Sequence, residues 1–99
     1  MRIKLTLRAR RRIQLVEAWW RENRPGAPDL FREELAWARQ KLLSTPHLAP
    51  RYQMESGKVF RRLLLPATEQ HVYYVVDDAA DLIVVYTVWG ARRGRTPNL

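Results

Sequence analysis

Apolar and polar positions change period several times along this chain, and each change marks an element. In residues 2–7, Ile3, Leu5 and Leu7 alternate with Arg2, Lys4 and Thr6, which predicts a short half-buried strand. The period then lengthens. Ala9, Ile13, Val16 and Trp20 fall on one face of a helix, and Leu15 and Trp19 widen that face. The helix is expected to end near Asn23, because Arg24 precedes Pro25 and that position disfavours helix. Pro28 suits the first turn of a second helix, with Asp29, Glu33 and Glu34 at its positive end. Phe31, Leu35, Ala38 and Leu42 repeat the helical spacing, and Pro46 and Pro50 lie in the loop that ends it. The tight connection Pro25-Gly26-Ala27 between the two amphipathic helices predicts an antiparallel hairpin. Trp19, Trp20 and Trp37 are expected at its interface with a sheet.

The second half reads as strands. Residues 59–65, 72–76 and 82–89 are β-branched, aromatic and nearly continuous. The loops between them, 66–70 and 77–81, are of hairpin length, so these strands form an antiparallel meander. The predicted class is α+β, in the order β-α-α-β-β-β: an N-terminal strand and an antiparallel helical hairpin packed on a three- to four-stranded antiparallel sheet. Residues 1–99 suit one domain, with 90–99 as an irregular basic tail punctuated by glycine and proline.

Composition narrows the class of function. No cysteine is present, which removes a disulfide scaffold, a thiolate zinc site and a cysteine nucleophile. The longest apolar runs, 63–67 and 82–86, are far short of the roughly 20 residues of a membrane span. The basic N-terminus lacks the apolar segment that a signal peptide requires. A soluble, cytoplasmic protein with no membrane partner is expected. The 18 Lys and Arg residues exceed the 10 Asp and Glu residues, for a net charge of +8. The excess is clustered. Arg2, Lys4, Arg8, Arg10, Arg11 and Arg12 occur with no acid among them, and Arg92, Arg93 and Arg95 sit in the tail. Such clustering predicts attraction to a polyanion or an acidic protein.

Candidate chemistry lies on the strands. Arg61 and Arg62 alternate onto opposite faces, as do Tyr73 and Tyr74, and His71 shares the face of Tyr73. With Arg92 or Arg93 of the tail, these residues suit a phosphate-rich ligand. Arginine gives bidentate phosphate contact, tyrosine stacks or hydrogen-bonds, and histidine moves a proton. The two histidines make no metal site, no glycine-rich phosphate loop is present, and no cofactor is expected.

The chain resembles the RelE/ParE superfamily, toxins of bacterial type II toxin–antitoxin systems. The resemblance runs over nearly its whole length. It is carried by Ala18-Trp19-Trp20-Arg21, Arg24-Pro25 with Ala27-Pro28, Phe31 with Glu34-Leu35, and Thr45-Pro46-His47-Leu48. Further marks are the runs Val59 to Leu65, His71 to Val75, and Val88 to Gly94. The resemblance implies the helical hairpin on a sheet and a growth-arresting toxin neutralised by a cognate acidic antitoxin in a hetero-oligomer. RelE-like members are ribosome-dependent messenger-RNA endonucleases, whereas ParE-like members poison DNA gyrase and are not enzymes. The RelE-like basic positions fall on Arg61 or Arg62 and on Arg92. His71 stands where RelE-like members carry an arginine, and the RelE-like C-terminal tyrosine is missing from Arg95-Thr96-Pro97-Asn98-Leu99. These departures make the ParE-like, gyrase-directed reading the leading expectation. A ribonuclease with His71, Arg61 and Arg92 as catalytic residues is the alternative, and a non-toxic nucleic-acid-binding module is a further one. Arg62, Tyr73, Tyr74, Arg93 and Arg95 are the expected target-binding residues.

Overall fold

The computed structural model describes residues 1–99. The chain runs β1 (Arg2–Leu5), α1 (Leu7–Asn23), α2 (Leu30–Ser44), β2 (Arg51–Glu55), β3 (Lys58–Leu65), β4 (Gln70–Asp77) and β5 (Leu82–Gly90). The α+β class and the order of elements agree with the sequence reading, and two details are corrected. The sheet has five strands in the order β1-β5-β4-β3-β2. β1 lies parallel to β5, while β2–β3, β3–β4 and β4–β5 are antiparallel. The added strand is β2, joined to β3 by Ser56 and Gly57, both at positive φ (52° and 76°). A two-residue connection with that geometry matches the twist of a hairpin.

Thr6 ends β1 and starts α1. Its Oγ1 accepts the Ala9 amide at 3.0 Å and its hydroxyl donates to the Tyr86 carbonyl at 2.8 Å, so the strand expected over residues 2–7 stops at Leu5 and the helix opens at Leu7. In α2 the helix proper begins at Leu30, after an N-terminal Asp29, so Pro28 lies outside its first turn. No helix is long and apolar enough to cross a membrane.

Both helices cover one face of the sheet. Ala9 and Val16 from α1, Phe31, Ala38 and Leu42 from α2, and Leu65, Val72, Tyr74, Ile83, Val85 and Val88 from the strands form one buried cluster. Ile13 and Trp20 pack against it, as the helical stripe predicts. Leu15, Trp19 and Trp37 do not. They are 61%, 47% and 42% exposed, so two of the three helical tryptophans stand outside the helix–sheet interface.

Glu34 fastens α2 to the β3–β4 turn. This carboxylate is buried and accepts the Ala67 and Thr68 amides at 2.6 and 2.9 Å and the Thr68 hydroxyl at 2.5 Å. Its place at the helix start in sequence hides this role. Truncation to alanine leaves buried donors without a partner, each worth about 1–3 kcal/mol. Glu34→Ala is expected to lower unfolding stability by about 3 kcal/mol in urea titration, with Glu34→Gln recovering part of the loss. A loss below about 0.5 kcal/mol would show the turn to be held by other contacts.

Candidate nucleic-acid interface

The helices leave the other face of the sheet open, and the strand register decides what it carries. Arg62 lies opposite Tyr73, which lies opposite Thr87; Leu64 lies opposite His71, which lies opposite Trp89. Direct partners project to the same side, so Arg62, His71, Tyr73 and Trp89 share this face. Arg61, Tyr74 and Val85 form the neighbouring row on the helix side.

Two irregularities enrich the open face. The register of β2 against β3 shifts between Arg51 and Gln53, and that of β4 against β5 shifts between Tyr73 and Tyr74. The extra residues are Tyr52 and Tyr86, re-aimed as bulged residues are. Tyr52 meets the Tyr73 ring edge-on, centroids 5.1 Å apart, and the Arg62 guanidinium lies 4.9 Å from the Tyr52 centroid. Tyr86 meets Phe60 edge-on at 4.9 Å, and Lys58 Nζ donates to its hydroxyl at 3.1 Å. His71 stands edge-on to Tyr73 at 6.0 Å.

Cations gather round Trp89 at one end of this face. The guanidinium of Arg93 is 3.9 Å from its ring centroid, with Arg12 at 5.4 Å and Arg95 at 5.6 Å. Arg12 Nε also donates to the Val88 carbonyl at 3.3 Å, which fixes it at the end of β5 not covered by β1. Burial, followed by the charges of Arg93 and Arg8, pulls the Arg12 guanidinium below its ordinary pKa. None of Arg8, Arg12, Arg62, Arg93 and Arg95 is ion-paired. The region is a concentrated positive field built on aromatic rings, suited to phosphates and bases.

The tail folds back on the domain. Trp89 Nε1 donates to the Arg95 carbonyl at 2.9 Å, the Arg8 guanidinium donates to the Asn98 carbonyl, and Pro97 is buried. Thr96 to Leu99 and Gln53 to Glu55 line one cavity. The tail thus touches α1 through Arg8, β5 through Trp89 and the end of β2.

The candidate residues therefore separate. His71 and Arg62 share the open side, Arg93 and Arg95 lie on Trp89, the strand partner of His71, and Tyr73 is a buried ring of the same face. Arg61 faces the helices and donates to the Ala49 carbonyl at 2.8 Å. Tyr74 is buried on the same side and donates to the Pro46 carbonyl at 2.9 Å. Arg92 points away and pairs with Glu69 at 2.8 Å. The structure thus does not bring Arg61, Arg92 or Tyr74 to His71. Tyr52, Tyr86 and Arg12 are the additions. The Ser56-Gly57 dipeptide is a turn signal that points to a strand holding Tyr52. Arg8 and Arg12, one helical turn apart, share a face of α1. Nothing in the sequence marks the bulge at Tyr86. No group of three or more His, Cys, Asp and Glu side chains is placed to hold a metal ion.

Fold and site together define a small basic α+β protein with an arginine- and aromatic-lined sheet. No protein-family model and no curated protein matches the chain. Among solved structures it is similar to the isolated E. coli RelE toxin, with a TM-score of 0.60 over 94% of this chain and 86% of that one, at 18% identity. The likeness is one of fold.

Protonation at the site follows from its surroundings. Burial, then the Arg62 charge, lowers the His71 pKa below 6.5. Burial raises the Tyr73 hydroxyl above 10, opposed by Arg62. At neutral pH the imidazole is therefore an acceptor and the phenol is protonated. In an NMR titration the His71 ring is expected to gain its proton below pH 6.5. Arg62→Gln removes a repelling charge and should move the midpoint upward. A midpoint above 6.5 in the wild type would contradict the described burial of the ring.

Proposed function

We propose that the chain is a RelE/ParE-superfamily toxin of the RelE-like kind, a ribosome-dependent messenger-RNA endonuclease. The likeness to RelE moves this reading ahead of gyrase poisoning, which the missing C-terminal tyrosine had favoured. The observation that carries it is His71 on one face with the unpaired Arg62, its strand partner Trp89 carrying Arg93. In this reaction the imidazole takes the proton of a ribose 2′-hydroxyl. The 2′-oxygen then bonds to the adjacent phosphorus, the bond to the 5′-oxygen breaks, and that oxygen takes a proton from water. Arg62 and Arg93 stabilise the charge that builds on the phosphoryl oxygens. Tyr73 is a positioning residue, holding His71 edge-on. Arg61 and Arg92 take structural roles through Ala49 and Glu69.

The partner in this reading is a cognate acidic antitoxin, the complex a hetero-oligomer, and the place of action the cytoplasm. A field of unpaired cations on a small protein supports an acidic partner.

The test is induction of the chain alone in bacteria with pulse labelling of DNA and protein synthesis, alongside cleavage of messenger RNA on purified ribosomes. Protein synthesis is expected to fall first. His71→Ala should slow cleavage by about 10²- to 10⁴-fold, and Arg62→Ala by about 10²-fold. Arg92→Ala should stay close to wild type. Earlier loss of DNA synthesis, with intact messenger RNA, would return the gyrase reading to first place.

A further inference from the structure

A cavity of about 320 Å³ lies between the helical hairpin and the β1 side of the sheet. Its floor is Val72, Val85 and Val88, which are 2%, 3% and 0% exposed. Ile13, Leu35, Ile3 and Leu5 form a half-buried rim, the last two on the edge strand β1. Arg39 is the one polar side chain of the lining. It is exposed, enters no ion pair and rests on no aromatic ring. Position 39 falls one turn after Leu35 and beside the buried Ala38, so α2 carries this charge to the border of its buried stripe.

Such a lining selects its occupant. One polar group gives water too few hydrogen bonds, and apolar cavities of about 150 Å³ take up benzene. The occupant is apolar along its length and carries one negative charge where Arg39 stands. A guanidinium pairs in bidentate fashion with a carboxylate, which suits that position. A polypeptide fits less well. It brings an N–H and a C=O with every residue, whereas the backbone of α2, β4 and β5 around the cavity is already paired within helix and sheet. A methylene is close in size to a water molecule, about 30 Å³ of liquid, so the volume holds one chain and not the two of a membrane lipid.

We propose that this cavity binds a single-chain aliphatic carboxylate of about eight to ten carbons, its chain on Val85 and Val88 and its carboxylate on Arg39. The site lies on the helix side of the sheet, away from His71 and Arg62, and stands apart from the reading of the open face.

The experiment titrates the full chain by calorimetry with straight-chain carboxylates from hexanoate to tetradecanoate, each below micelle formation. Affinity is expected to rise about fourfold for each added methylene as far as decanoate and then to level off. Arg39→Met keeps an aliphatic side chain and removes the charge. It should weaken decanoate about tenfold and leave decanol unchanged. Ala38→Leu fills part of the cavity and should move the plateau to a shorter chain. Should that variant fail to fold, methyl NMR of the wild type carries the same test: decanoate should shift the Val85 and Val88 methyl resonances and leave that of the exposed Met54 in place. Affinity that climbs without a break to tetradecanoate is adsorption on exposed apolar side chains and overturns the cavity, as do shifts at Met54 alone. Equal decanoate affinity in Arg39→Met overturns the carboxylate. Binding to phosphatidylglycerol vesicles with no uptake of monomeric decanoate makes the ligand a membrane lipid and overturns the proposal. No binding at any chain length overturns it outright, and Val85 and Val88 shifts that arise only on adding a protein partner give the cavity to a polypeptide. None of these outcomes depends on whether the chain cuts RNA.

Discussion

The register of β3 against β4 sorts the side chains that meet the helices from those that meet solvent. Side chains alternate strictly along a strand, so a slip by one residue would carry Arg62 and His71 under the helices and bring Arg61 and Tyr74 out. Tyr74 resists that slip. Its ring is part of the buried cluster and its hydroxyl is satisfied by Pro46 in the loop after α2. Arg61 resists it as well, since its bond to Ala49 ties β3 to the same loop. The chemistry of the open face is thus set by contacts made on the covered one.

Most of the fold was legible because its helices and its three long strands repeat at clean periods. The stripe Ala9, Ile13, Val16 and Trp20 is the face that α1 buries or half-buries. β2 was illegible for a physical reason: Arg51, Gln53, Met54 and Glu55 are all exposed, and only Tyr52 is half-buried, so no apolar alternation exists to be read. Leu15, Trp19 and Trp37 misled because a pattern of hydrophobicity does not distinguish a residue packed on the sheet from one left for solvent. At the site, alternation put Arg61 and Arg62 on different faces but did not say which one the helices cover. That depends on pairing between distant strands. Arg92 was placed near His71 by proximity in the tail, yet a single carboxylate in the turn, Glu69, turns it away.

The cations at Trp89 show how a small domain holds like charges together. Arg12 is anchored through Val88, while Arg93 and Arg95 rest against one indole. Interaction with the ring offsets part of their repulsion, and aqueous screening removes more. The arrangement remains unfavourable for the isolated protein and favourable once an anion arrives. Such a patch trades folding stability for attraction at a distance.

The pairing of β1 with β5 has a consequence for how the chain is made. Thr6 bonds to Tyr86, 80 residues further on, so β1 leaves the ribosome long before its neighbour β5. Long-range closure of this kind is slow compared with local hairpins. While synthesis continues, β1 has no neighbour and the helices have little of their sheet to pack on. Trp89 and its arginines, along with the tail, come later still. The interval between release and closure of the sheet is when its apolar surfaces are most open to capture by another protein.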